Sequence, residues 1–442
     1  MNSGNRDVTR RVLLGRLSLL GIGTSAFQRA LADEATRANA LTDVQISNAE
    51  WISGLMLSET DRSAMIRSSE SLLSELALLR SVTLDPAALS CLRFDPELGD
   101  PTIRSVAAVQ RPWLRQPDTA AAAAPQPAEL TDEVLPWLPI RELASLLRGG
   151  RVTSERLVEL AISRLKAADP KLLCVVTLLE ESARAAAKQA DAELRSGHDR
   201  GLLHGIPVAH KDLQETQGIR TTFGSPIYAD YVPTFDTEVV ARMKAAGCVC
   251  LGKTNTPEFG AGSQTFNPVF GKTRNPYDVT KTCGGSSGGA AVGLATGMIA
   301  LADGSDTGGS LRNPASFCGV TGLRTTAGLV PGATAVTVNG PMGRDCGDVG
   351  LLLAAQAGLE EVPSLERDFR GVRVAWLGEV PGMPFESEVR RVVDAARGRF
   401  GDVGCVVEDA TPDFTDADAA FRVLRAQEFF TLHGGKPRER IK

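Results

Sequence analysis

Two glycine-serine segments constrain this chain more than anything else in it. Cys283-Gly284-Gly285-Ser286-Ser287-Gly288-Gly289 sets glycines around two hydroxyls, and Gly304-Ser305-Asp306-Thr307-Gly308-Gly309-Ser310 follows shortly after. Glycine tolerates the dihedrals that turn successive N–H groups toward one point, so such a segment can cradle an anion. A phosphate loop of the Walker type would end in Gly-Lys-Ser/Thr, an ending both segments lack.

A nucleophilic serine fits better. Its hydroxyl must lose a proton on attack, and the oxyanion that forms needs donors fixed in advance. The N–H groups of Thr307, Gly308, Gly309 and Ser310 are the expected oxyanion hole. Histidine is the usual base, but the chain has only His198, His204, His210 and His433, and neither His204 nor His210 has an acidic orienting partner visible in sequence. Gly205-Ile206-Pro207-Val208-Ala209-His210-Lys211 offers another: a lysine at the end of an apolar strand can be desolvated until its amine is neutral. That demands a penalty of roughly 4 kcal/mol on the charged form, which burial can supply. A lysine after an apolar run is more often an exposed strand-end charge, so the assignment rests on the combination of segments.

The combination resembles the amidase-signature family. Asn275-Pro276-Tyr277-Asp278, the Ser286 segment and Gly304 to Ala315 occur in that family's order, with Lys211 in the position of its lysine. The resemblance runs from about Trp137 to Glu428. It implies an α/β fold with a large mixed β-sheet flanked by helices, and hydrolysis of a carboxamide without metal or other cofactor. By the same resemblance Ser310 is the nucleophile, Ser286 a proton relay held by a cis peptide bond, and Lys211 the terminal base. Ser287 hydrogen-bonds within the site, while Asp306 and Arg312 support the loop. Two departures stand out: His210 replaces an aliphatic residue and would depress Lys211 further, and Ala290 replaces a small hydroxyl residue. The family's sheet normally continues beyond the point reached at Lys442, so the C-terminal part of the fold is expected to be missing.

Elsewhere the chain reads as several regions. Thr9-Arg10-Arg11 opens a moderately apolar stretch closed by Ala30-Leu31-Ala32, so residues 1–32 resemble a twin-arginine export signal, with a basic amphipathic start helix as the alternative. Export to the periplasm or beyond would follow from the first, a cytoplasmic location from the second. Residues 33–115 carry helical periodicity, with Ser58-Glu59-Thr60-Asp61 opening one helix, and weakly resemble a small helical amidotransferase subunit. An Ala/Pro-rich linker spans 116–136, and 137–442 forms the main domain. Within it, helices are expected from Ser154, over Glu180 to Leu194, over Glu238 to Ala246 and over Ala419 to Phe430; Pro207–Ala209, Cys248–Leu251 and Met298–Leu301 read as buried strands.

A net charge of −5 argues against a general nucleic-acid binder. The eight cysteines include no Cys-x-x-Cys and read as mostly small buried residues. The expected partner is a small or peptide-like amide, with no stable membrane span and homo-oligomerisation left open. Two other readings compete with a stand-alone amidase: the amidase subunit of a tRNA-dependent amidotransferase, and a non-catalytic remnant that binds.

Overall fold

The computed structural model describes residues 130–436, apart from 333, 335, 360, 361, 363, 364, 379, 381, 382 and 384, together with 46, 47, 50, 56–63, 65 and 66. The export-signal reading and the Gln116–Pro127 tract lie outside them. The chain divides into two compact units, Met1–Leu89 and Ser90–Lys442. In the first, residues 59–63 are helical and Asp61 N donates to Ser58 Oγ at 3.2 Å, the cap expected from that run. No helix among the described residues is long and apolar enough to cross a membrane.

The second unit is built on a six-stranded mixed sheet. Its strands are β1 (Val175–Leu178), β2 (Pro207–Lys211), β3 (Val249–Thr254), β6 (Leu301–Asp306), β7 (Thr321–Gly322) and β8 (Val338–Gly343), in the order β1-β3-β2-β6-β8-β7. β2 is parallel to β3 and β6, and the outer pairings are antiparallel. The short β4 (Phe266–Asn267) and β5 (Gly271–Lys272) form a separate hairpin. Leu301 opens β6, so of the run Met298–Leu301 only its last residue is strand; the first three lead into it.

Helices α1 (Ile140–Arg148), α2 (Ser154–Leu172), α3 (Glu180–Arg195), α4 (Glu238–Ala245), α5 (Gly288–Ala295), α6 (Arg312–Cys318) and α7 (Cys346–Ala357) cover both faces. Strand alternation sorts the core. Ala209 and Ala302 face a cluster with Val158, Ile162 and Leu294; Val208 and Leu301 face the other, with Leu143, Met243 and Leu352. Thr153 caps α2 by accepting from Arg156 N at 3.1 Å, and the stripe Leu157, Ala161, Leu165 is buried as its spacing predicts. Each such leucine contributes about 1.5–3 kcal/mol. Leu135 is fully buried in the second cluster, so the main domain begins inside the segment read as linker.

Helix α5 has no polar face, and its buried residues run from Gly288 to Leu294. The glycines at its start answer to packing as much as to loop geometry: a Cβ on Gly289 would lie 2.4 Å from Asn255 N and 2.5 Å from Cys174 O. Beyond the sheet, β9 (Arg373–Trp376), α8 (Ser387–Asp402) and β10 (Val406–Asp409) make a parallel two-stranded unit, followed by α9 (Ala417–His433).

Candidate active site

The C-terminal end of β2, the turn into α5 and the end of β6 meet at the floor of one cavity. Lys211, the last residue of β2, is fully buried, and its Nζ bonds Ser286 Oγ at 2.7 Å, Ser287 Oγ at 2.9 Å and Ser305 Oγ at 3.0 Å. Burial lowers its pKa from 10.5 to about 7, against the opposing charges of Asp303 and Asp306. The Gly285–Ser286 peptide is cis. Gly288 N donates to Thr265 Oγ1 at 3.1 Å and Gly285 N to Asn313 Oδ1 at 2.9 Å, fixing the loop from both sides.

Ser310 follows β6 and is partly exposed on the wall of the cavity that Ser286 also lines. Its carbonyl accepts from Ser287 N at 3.2 Å, which ties the two segments together. Asp306 organises this loop. Its carboxylate accepts from Gly309 N (2.9 Å), Leu311 N (3.1 Å), both arms of Arg312 (3.0 Å each) and Arg324 (3.1 Å). Burial would raise this carboxyl, but those bonds outweigh it and hold it at about 2. The expected four-donor oxyanion hole is corrected by one of these contacts: the Gly309 N–H is taken by Asp306, and the positive φ of 115° there serves that turn. The N–H groups of the other three expected donors, Thr307, Gly308 and Ser310, have no partner among the described residues.

Two readings of His210 also need correction. Lys211 faces the serines, and alternation sends His210 to the other side of the sheet, where Nδ1 lies 2.5 Å from Asp303 Oδ2. It therefore has an acidic partner, and the charges acting on Lys211 are those of Asp303 and Asp306. His204 likewise meets Glu193 at 3.2 Å. Of the described cysteines, Cys174, Cys283 and Cys318 are buried, Cys248, Cys250 and Cys405 intermediate, and Cys346 exposed, so the expectation that most are buried holds for fewer than half of them.

Other functional positions escaped the sequence reading. Ser305 lies inside a recognised segment, but its bond to Lys211 Nζ at 3.0 Å, 94 residues away in sequence, shows only in the folded chain. Asp303 accepts from Lys211 N at 2.8 Å, a contact 92 residues apart in sequence. Gly247 to Thr254 spells Gly-x-x-x-x-Gly-Lys-Thr, yet it runs through β3 rather than a loop; Lys253 is fully buried and bonds Thr216 Oγ1 and Thr221 Oγ1 at 3.1 Å each, which leaves no phosphate cradle. The cavity holds about 930 Å³, and α9 supplies one wall with Phe421, Phe429 and His433. His433 stacks on Phe259 at 4.3 Å and Lys436 Nζ lies 4.5 Å from the same ring.

A buried lysine bonded to paired serines thus lies beneath a large cavity, on a mixed sheet covered by helices. Residues 156–429 match the Amidase family. The chain belongs to the amidase-signature family. It is 38% identical over 299 residues to a glutamyl-tRNA(Gln) amidotransferase subunit of Moorella thermoacetica (63% of this chain, 61% of that protein) and 40% identical over 314 residues to the protein of the same name in Azoarcus sp. (65% and 64%). The matched part thus spans less than two thirds of these relatives' length. Among solved structures, the native peptide amidase from Stenotrophomonas maltophilia superimposes with a TM-score of 0.58 at 28% identity, covering 67% of this chain and 68% of that one.

Proposed function

We propose that the chain hydrolyses a carboxamide through an acyl-enzyme on Ser310. The observation that carries this is the buried, neutralisable Lys211 bonded at 2.7 Å to Ser286, beneath the cavity that Ser310 lines. Ser310 Oγ attacks the carbonyl carbon while its proton passes to Ser286, whose own proton goes to Lys211 Nζ. The N–H groups of Thr307, Gly308 and Ser310 are the available donors for the oxyanion. Collapse of the tetrahedral species returns the proton through Ser286 to the leaving nitrogen, and water then releases the acid by the same route. The test is a fluorophosphonate probe on the folded chain: labelling at Ser310 that disappears in Ser310→Ala supports the proposal, and a folded chain that fails to label favours a binding role instead.

The curated relatives favour a specific form of this chemistry over a stand-alone amidase: release of ammonia from glutamine as the amidase subunit of a tRNA-dependent amidotransferase. The peptide amidase likeness, and the runs Thr256 to Gly260 and Leu311 to Pro314, support the stand-alone form. Ammonia release from glutamine, compared with release from peptide-like amides, separates them. Export from the cytosol through residues 1–32 belongs to the stand-alone proposal, and detection of the chain in a periplasmic fraction tests it.

A further inference from the structure

The face of the sheet turned away from the serines carries reactive side chains that amide hydrolysis does not use. Val208 and His210 share that face of β2, and Cys250 is the β3 partner of Val208, so its sulfur lies diagonally beside the His210 ring. The two are close enough for each to shift the other's proton affinity, while the Cys250 thiol itself donates to Gly252 O at 3.8 Å. On the opposite neighbour, β6, Asp303 Oδ2 holds the ring through Nδ1 at 2.5 Å. Cys250, His210 and Asp303 thus stand in line across three adjacent strands.

His210 and Asp303 are buried, whereas Cys250 is partly exposed and lines a separate cavity of about 320 Å³. His204, 3% exposed, lines the same cavity. Its Nδ1 accepts from Arg200 N at 3.0 Å, which puts the proton on Nε2. That N–H lies 3.2 Å from Glu193 Oε2 yet completes no hydrogen bond. A buried donor left open is costly, and an oxygen atom entering the cavity would satisfy it. The charges around the sulfur favour its anion. Burial opposes it, but His210 and then Lys253 bring the Cys250 thiol below its ordinary value; burial also opposes protonation of His210, but Cys250 and Asp303 raise that ring to about 9.

We propose that Cys250 is a thiol-modification site, reached by small hydroperoxides through the 320 Å³ cavity, and that His210 and Asp303 transmit its oxidation to Lys211. The thiolate attacks one peroxide oxygen, the O–O bond breaks and an S–O bond forms. Sulfur loses two electrons and becomes sulfenic acid; the departing oxygen takes the His210 proton and leaves as water or an alcohol. Asp303 then faces a neutral ring, and its charge, no longer balanced by imidazolium, stabilises protonated Lys211, whose backbone N–H it already holds at 2.8 Å. This last step rests on Lys211 as the base of amide hydrolysis; the oxidation does not.

The experiment treats the full chain with hydrogen peroxide and dimedone and maps the adducts. Cys250 should label ahead of the exposed Cys346, and His210→Asn should slow Cys250 labelling about ten-fold or more. Cys346 labelling first, or an unchanged rate in His210→Asn, overturns the site. Should that variant fail to fold, the pH dependence of iodoacetamide alkylation decides in the unaltered protein: a plateau for Cys250 at lower pH than for N-acetylcysteine supports the site, and one at equal or higher pH overturns it. For the coupling, peroxide should lower amidase activity reversibly by dithiothreitol and spare Cys250→Ala. Equal loss in both proteins overturns the coupling alone.

Discussion

Lys211 Nζ and Ser286 Oγ are joined at 2.7 Å across 75 residues of sequence, where the last residue of β2 meets the turn into α5. Because Lys211 is fully buried, the bond sits where charge is expensive and proton position matters. In the proposed hydrolysis the competent amine is the neutral one. Below pH about 7 Lys211 takes up a proton, so kcat/KM should fall about ten-fold per pH unit on the acid side of a midpoint near that value. A profile from pH 5 to 9 checks this, and a flat line through the midpoint contradicts it. The same shift acts on stability. Between about 7 and 10.5 the unfolded chain holds a proton that the folded chain has released, so this group makes stability rise with pH across that window.

Ser286→Ala removes the hydroxyl proposed to relay protons between Ser310 and Lys211, while leaving Ser287 and Ser305 to hold Lys211. The expected loss in kcat is about 10²–10⁴-fold, the range of a lost proton-transfer group, with little change in melting temperature. Steady-state kinetics beside thermal unfolding measures both.

Asp306→Ala should act mainly on stability. It strips partners from two backbone N–H groups and two guanidinium groups at once; each N–H loses a bond to a charged acceptor worth about 1.5–3 kcal/mol, while the partly exposed guanidiniums regain water. Urea unfolding reads the loss directly. Arg312, whose side chain is 56% exposed, should cost less when replaced by alanine.

Gly289→Ala places a methyl group 2.4 Å from Asn255 N and 2.5 Å from Cys174 O, both backbone atoms that cannot rotate away. The helix must shift, and destabilisation of about 1–3 kcal/mol or more follows from such overpacking. By contrast Gly350→Ala in α7 meets nothing within 4 Å and should be neutral or mildly stabilising. Comparing the two melting temperatures separates a packing requirement from a general preference for glycine.

Much of the fold was legible because its signals are local. Thr153 followed by a 3.6-residue stripe specifies a capped helix, and the apolar runs ending at Lys211 and beginning at Val249 specify buried strands. The segments around Ser286 and Ser310 are visible for the same reason: glycine next to a hydroxyl is a property of consecutive residues. What sequence misjudged was direction. His210 and Lys211 are neighbours in the chain and act on opposite sides of the sheet, and Asp303 gains both its contacts only because β6 lies beside β2. The wall formed by Phe421, Phe429 and His433 was unreadable for a like cause, since nothing in α9 alone says that it lies over the Ser286 cavity.

The amino-acid order thus determined which groups are chemically able to act: a lysine at a strand end and hydroxyls flanked by glycine. Tertiary structure decided which of them meet. Strand pairing brought Lys211 to three serine hydroxyls and Cys250 to His210, and burial, which no residue achieves by itself, brought the lysine amine into the range where it can both give and take a proton near neutral pH.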